Sequence, residues 1–155
     1  MSNEWEPTAR VWRGALGAPR LLRDDPDAIA AVHRAYYAAG AQIAITAGYQ
    51  ATYDGFARLG ISRTETTALL RRSVSLAREA AVAAQAESGG TRWVAASVGP
   101  YGAMLADGSE YRGDYGLTVA ELTRFHRPRL EALAEAAPDV FAVETVIDNG
   151  PHGQR

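Results

Sequence analysis

The fold is decided by one stretch of the sequence, WVAASVGPYG at residues 93–102. Its first six residues have the length and apolar content of a buried strand, and Gly99-Pro100 then marks the exit into a loop. Residues 101–115 carry three tyrosines, two aspartates, a glutamate and an arginine. Because most connections in compact domains are about 4–6 residues long, a loop of this length and content favours binding or catalysis. The alternative is an ordered surface loop held by its own side chains.

Helix signals lie on both sides of this stretch. Acidic residues before Pro26 predict a helix start, and Gly40 predicts its end. His33 stands beside the apolar stripe of this helix, which indicates a boundary residue and not a ligand. Two sequences of the form Ser/Thr-x-x-Glu, at 62–65 and 118–121, predict capping boxes at two further helix starts. The residues that form the stripe of the first helix are Ile29, Val32, Tyr36 and Ala39.

The first capping box begins a helix that we expect to stop before Gly89. The second begins a helix that contains Pro128, and we expect this proline to kink the helix or to split it in two. Strands are predicted at 42–46, 93–98 and 140–146. The alternation of strands with helices predicts βαβ units and a parallel sheet, which places the protein in the α/β class.

In a parallel sheet the carboxyl ends of the strands meet at one edge, where ligands bind. Polar segments lie at the carboxyl ends of all three predicted strands, at 46–50, 97–101 and 144–145. Glu144 comes at the end of an apolar strand, and a carboxylate in that setting needs donors. Its natural partner is a cationic ligand group or an arginine, and the alternative is a glutamate exposed at the sheet rim.

The composition is that of a soluble globular domain of 155 residues. Sixteen basic and eighteen acidic residues give a net charge of −2, which predicts neither a nucleic-acid partner nor a membrane surface. No apolar run approaches the roughly 20 residues that span a bilayer, and no secretion signal is visible, so we expect a cytoplasmic protein. The chain has no cysteine, which removes disulfides and cysteine-ligated zinc, and its three histidines have no metal-ligand spacing.

Several segments resemble the homocysteine S-methyltransferases, and together they cover about residues 21–146. The most specific is the block SVGPYGA at 97–103 with LADGSEYRGDY at 105–115. The others are DPDAI at 25–29, VHRAY at 32–36, ITAGYQAT at 45–52, GF at 55–56, SVSLA at 73–77, FHRPR at 125–129 and ET at 144–145.

This resemblance implies a partial (βα)8 TIM barrel, with parallel strands alternating with helices, that ends after about the fourth strand. It implies transfer of a methyl group from S-methylmethionine or S-adenosylmethionine, both sulfonium donors, to homocysteine, forming methionine. The family binds zinc through cysteines, which turns the substrate thiol into a thiolate. This chain has no cysteine ligands, so we expect no catalytic or metal-binding residue in it. The substrate-binding residues that the resemblance implies are Glu144, which matches the family's glutamate facing the amino acid, and Thr46, Tyr49, Gln50, Gly99, Pro100 and Tyr101.

The chain departs from the family pattern at both ends. Residues 1–20 lack the family's first strand and are interpreted as an irregular segment, with the barrel domain at 21–147 and a frayed tail at 148–155. Such a truncated chain is expected to be inactive alone. The alternative is a non-catalytic half-barrel that self-associates or binds a partner through the open edges of its sheet. A third hypothesis is a small-molecule binding module that uses Glu144 and Tyr101 without zinc.

Overall fold

The structure, a computed structural model, describes residues 17–147. Within this range it contains three strands, six α-helices and one short 3-10 helix. No helix in the same range has the length and apolar content needed to cross a bilayer. In chain order the elements are α1 Gly17–Asp24, α2 Pro26–Ala38, β1 Ile43–Ile45, α3 Tyr53–Ala57, α4 Arg63–Ser88, β2 Trp93–Val98, α5 Tyr101–Leu105, the 3-10 helix Ser109–Tyr111, α6 Val119–Glu135 and β3 Val140–Val143.

The three strands form one parallel sheet in the order β1-β2-β3. Ile45 is in register with Ala95, and Ala95 is in register with Val140. Among the described residues, β1 and β3 each pair with β2 alone, so each leaves one edge free. The predicted α/β class, with parallel strands alternating with helices, is confirmed. All three predicted strands are present, although β1 and β3 end earlier than the sequence indicates.

The two faces of the sheet differ in what covers them. Val94 and Ala96 of β2 are buried against the helices, where α4 packs on both β2 and α2. The opposite face carries Ile43 and Ile45 of β1 and Val140 of β3, which are 54%, 52% and 52% exposed. Since residues in register point to the same side of a parallel sheet, these three side chains form one apolar strip. We call this strip the open sheet face.

Helix α2 buries a different face from the one predicted. His33 and Tyr37 are buried, whereas Val32 and Tyr36 are exposed. Both sets of positions fit the helical period, so spacing alone does not separate them. The Tyr37 hydroxyl donates a hydrogen bond of 2.8 Å to the Trp93 carbonyl, which fixes the rotation of the helix. The prediction that His33 is a boundary residue is therefore wrong.

The predicted helix starts are confirmed by their caps. Asp25 caps α2 through its carboxylate. At α6 the capping box is complete, because the Thr118 hydroxyl accepts from the Glu121 amide and the Glu121 carboxylate accepts from the Thr118 amide. At α4 only the forward bond is present, from the Glu65 amide to the Ser62 hydroxyl. The box predicted there is half formed.

Helix α1 begins inside residues 1–20, the segment predicted to be irregular. Residues 17–20 form its first half, and Leu21 and Leu22 are buried in the core. Tertiary packing of these two leucines stabilises a helix too short to stand alone. The rest of the predicted irregular segment and the predicted tail at 148–155 lie outside the described residues.

Two further elements differ from the sequence-based expectation. Helix α6 runs through Pro128 without being split, since the buried residues Ala132 and Leu133 anchor its second half in the core. The long loop at 101–115 is partly helical, because α5 and the 3-10 helix both lie within it.

Candidate substrate-binding site

A cavity of about 470 Å³ lies between α1, α2 and the carboxyl ends of the strands. Four of the residues that the resemblance singles out line it, namely Thr46, Tyr49, Gln50 and Glu144. They come from the ends of two different strands, as expected where parallel strands meet at one edge. The rest of the wall is largely apolar and comes from α1, α2 and β1.

Glu144 follows directly after β3 and is half-buried. Its amide donates to the Val98 carbonyl at 3.1 Å, which continues the strand pairing by one residue. Its Oε1 accepts a hydrogen bond of 2.5 Å from the Ser97 hydroxyl. The next residue, Thr145, has a positive φ of 56°, a strained conformation for a β-branched residue. The turn away from the strand therefore begins immediately after this glutamate.

Thr46 ties β1 to β2 at the same edge of the sheet. Its amide donates to the Ala95 carbonyl at 3.0 Å, and its hydroxyl accepts from the Ser97 amide at 3.0 Å. Ser97 therefore contacts Thr46 through its backbone and Glu144 through its side chain. This chain of hydrogen bonds links all three strands beside the cavity.

Tyr49 and Gln50 are held by the segment that follows β2. The Tyr49 carbonyl accepts from the Gly99 amide at 3.2 Å, and the Gln50 side-chain amide donates to the Ala103 carbonyl at 3.0 Å. Burial is the main cause that raises the pKa of the Tyr49 phenol, so this hydroxyl is protonated at neutral pH. A Cβ on Gly48 would lie 2.5 Å from the Ser97 carbonyl oxygen, which makes glycine necessary for this close approach.

Gly99, Pro100 and Tyr101 do not line this cavity. Gly99 packs against the Tyr49 backbone and ring, where a Cβ would collide. Pro100 precedes α5 and is buried. Tyr101 lines a second cavity of about 370 Å³, and its ring lies 4.8 Å from that of Phe125, centroid to centroid. These three residues support the site or lie beside it.

His33 lines the cavity and was not among the predicted site residues. It is 6% exposed, and burial lowers the pKa of its imidazole, so the ring is neutral at neutral pH. Its Nε2 has no hydrogen-bond partner among the described residues. Its place four residues after Ile29, on the same helical face, is the signal that could have indicated burial.

A sequence profile of one protein family, described as Homocysteine S-methyltransferase, matches residues 2–149 of this chain. The chain belongs to the homocysteine S-methyltransferase family. The match extends beyond residues 21–146, which carry the resemblance visible in the sequence alone. The predicted family membership is therefore confirmed.

Two bacterial members of this family are similar to the chain over most of its length. Homocysteine S-methyltransferase of Escherichia coli strain K12 is 50% identical over 148 residues, which are 94% of this chain and 48% of the relative. Homocysteine S-methyltransferase YbgG of Bacillus subtilis strain 168 is 45% identical over 151 residues, again 94% of this chain and 48% of the relative. The chain spans about half the length of the curated relatives it matches.

A solved structure of this homocysteine S-methyltransferase family shares the fold. The metallated form of the homocysteine methyltransferase MmuM from Escherichia coli superposes on the chain with a TM-score of 0.85 at 51% identity. The superposition covers 91% of this chain and 50% of that chain. The described sheet and helices thus correspond to one half of a longer methyltransferase.

The described residues of this chain do not fit a zinc site. Zinc in proteins takes cysteine, histidine or carboxylate ligands, usually four in a tetrahedron. Among residues 17–147, no group of three or more such side chains could hold a metal ion. The whole sequence contains no cysteine.

Proposed function

We propose that this chain is the amino-acid-binding half of a homocysteine S-methyltransferase. The observation that carries the proposal is Glu144 in the wall of the cavity, with Oε1 fixed by the Ser97 hydroxyl. Its second oxygen accepts no hydrogen bond from the described residues, so it is available to a ligand. A carboxylate held in this way suits the ammonium group of homocysteine, because a hydrogen bond between charged groups is stronger than one between neutral groups.

The reaction that we propose is methyl transfer from S-methylmethionine or S-adenosylmethionine to homocysteine. The homocysteine thiolate attacks the methyl carbon in line with the bond that this carbon makes to the sulfonium sulfur. That bond breaks, the donor leaves as a neutral thioether, and homocysteine becomes methionine. A free thiol has a pKa of about 8.5, so it must lose its proton before it is an effective nucleophile. The sequence contains no cysteine, and no group of side chains within residues 17–147 fits a zinc site that would activate the thiol, so we propose that the chain alone is inactive.

The sheet is proposed to be part of a (βα)8 barrel that ends after about the fourth strand. Three parallel strands, each separated from the next by helices, support this proposal. The open sheet face supports it too, because apolar side chains on that face would point into a barrel interior. We also propose that the protein is cytoplasmic, which is the location expected from the sequence.

The proposal is tested by direct binding of L-homocysteine and L-methionine to the purified chain, measured by calorimetry. We expect Glu144→Gln to weaken binding about ten- to hundredfold, since a hydrogen bond to a charged group contributes roughly 1.5–3 kcal/mol. Glu79→Gln is the matched control, because Glu79 is exposed on α4 away from the cavity. Equal affinity of the wild type and Glu144→Gln would contradict the assigned role of Glu144.

A second candidate function is a non-catalytic half-barrel that self-associates or binds a partner. The open sheet face and the free edges of β1 and β3 favour it, because unpaired strand edges recruit other chains. The two functions differ in their requirement for homocysteine. The first needs a ligand in the cavity, and the second needs only the exposed sheet.

A further inference from the structure

Arg129 is a fully buried cation behind the candidate site. It lies on α6 and is 0% exposed. Burial lowers the pKa of its guanidinium to about 10, so the group keeps its charge at neutral pH. None of the ion pairs among the described residues includes it. Burying a charge without a counter-ion is costly, so the remaining contacts of this side chain need a reason.

Those contacts are made to carbonyl oxygens, to one imidazole and to the ring of Phe125, whose centroid lies 5.6 Å from the guanidinium carbon. Nη2 donates to the Gly99 carbonyl, and Nη1 donates to the Ala51 carbonyl at 3.5 Å. Nη2 also lies 2.8 Å from Nδ1 of His126, and that nitrogen must be the acceptor because a guanidinium only donates. The two carbonyls belong to the segments that follow β1 and β2. Arg129 therefore bridges the two segments from behind the sheet edge.

The bridged segments are the ones that carry cavity residues and their supports. Ala51 comes directly after Tyr49 and Gln50, which line the cavity. Gly99 packs against Tyr49 and donates its amide to the Tyr49 carbonyl. A shift of either carbonyl would move the side chains that shape the cavity wall.

We propose that Arg129 is a positioning residue that holds the segments after β1 and β2 together and so sets the shape of the substrate cavity. An arginine suits this task because its planar fork of five N–H donors reaches two carbonyls at once. An apolar side chain of similar size would fill the space and leave both carbonyls without this donor. The role of Arg129 in shaping a substrate cavity rests on the proposed function, whereas its role in joining the two segments rests on the hydrogen bonds alone.

Hydrogen exchange read by NMR on the purified chain tests the bridging role. In Arg129→Met, we expect the amides of Gly99 and Ala51 to exchange at least tenfold faster, while amides in the middle of α4 change much less. Arg129→Lys, which keeps the charge and one point of contact, should give an intermediate acceleration. Arg127→Met is the matched control, since Arg127 is exposed on the same helix, and it should leave all these rates unchanged.

Two outcomes would overturn the inference. One is unchanged exchange at Gly99 and Ala51, and the other is an equal acceleration throughout the chain, which would indicate a general core role. If Arg129→Met does not fold, the exchange rates of Gly99 and Ala51 in Arg129→Lys test the inference instead. The affinity for L-homocysteine is measured on the same proteins, and we expect a loss of about tenfold in Arg129→Met. If the wild type binds no homocysteine, the proposed function fails, while the exchange rates still test the bridge.

Discussion

His33 and His126 are histidines that the fold keeps uncharged. Burial lowers the pKa of His33, and burial with the nearby Arg129 guanidinium lowers the pKa of His126 to about 4. In the unfolded chain both imidazoles titrate near 6.5. Between pH 6.5 and 4, the unfolded state therefore binds protons that the folded state does not. The free energy of unfolding is expected to fall as the pH falls through this window.

Urea unfolding at a series of pH values from 7 to 5 measures this effect. In His126→Asn we expect the free energy of unfolding to depend less steeply on pH, by the slope that corresponds to about one proton, because asparagine does not titrate. The asparagine side-chain oxygen can still accept a hydrogen bond from Arg129. Arg127→Gln is the control, because arginine stays protonated across this range. A pH dependence in His126→Asn as steep as in the wild type would contradict the prediction.

Individual site residues could be predicted only where the sequence pattern places them at a strand end. Glu144 and Thr46 were found in this way, and the structure brings both to the cavity. His33 was missed because two helical faces of α2 fit the same spacing. Arg129 was missed because an arginine in a helix is normally exposed, and only tertiary structure shows two carbonyls within its reach.

At the level of single elements, the capping box of α6 gives a measurable prediction. At the first turn, the side chains of Thr118 and Glu121 each accept a hydrogen bond from the backbone amide of the other residue. Thr118→Ala should lower the free energy of unfolding by about 1 kcal/mol, the usual cost of losing such a cap. Thr123→Ala is the control, since Thr123 is exposed inside the same helix and alanine has the higher helix propensity. The prediction fails if urea unfolding gives the same stability for both variants.

Elements with strong local signals could be predicted well, and those held by packing could not. The starts of α2, α4 and α6 follow from their caps. Helix α1 has no such signal and depends on the burial of Leu21 and Leu22. Pro128 was expected to disrupt α6, but the packing of the residues after it outweighs the loss of one backbone hydrogen bond.

At the level of the whole molecule, the proposed function predicts complementation. We expect homocysteine methylation when this chain is mixed with the half of the Escherichia coli relative that it does not match, and none from either part alone. Val140→Lys on the open sheet face should reduce the activity at least tenfold, because a charge there would be buried on assembly. Val82→Lys, at an exposed position on α4, is the control.

Gel filtration of the same mixtures separates the two candidate functions. A complex of the two halves supports the first. Association of this chain with itself, weakened by Val140→Lys and not by Val82→Lys, supports the second. A chain that remains monomeric at all concentrations and in all mixtures would contradict both.

The shared direction of the three strands also limits how two copies of this chain could join their sheets. Parallel pairing places the β3 of one copy beside the β1 of the next. If the second copy is related to the first by a half-turn about an axis along the strands, the two seams are identical and the ring closes. Any rotation that does not close leaves a fresh edge after each addition, and the result is a filament. The symmetry of the first contact thus decides between a closed dimer and an open polymer.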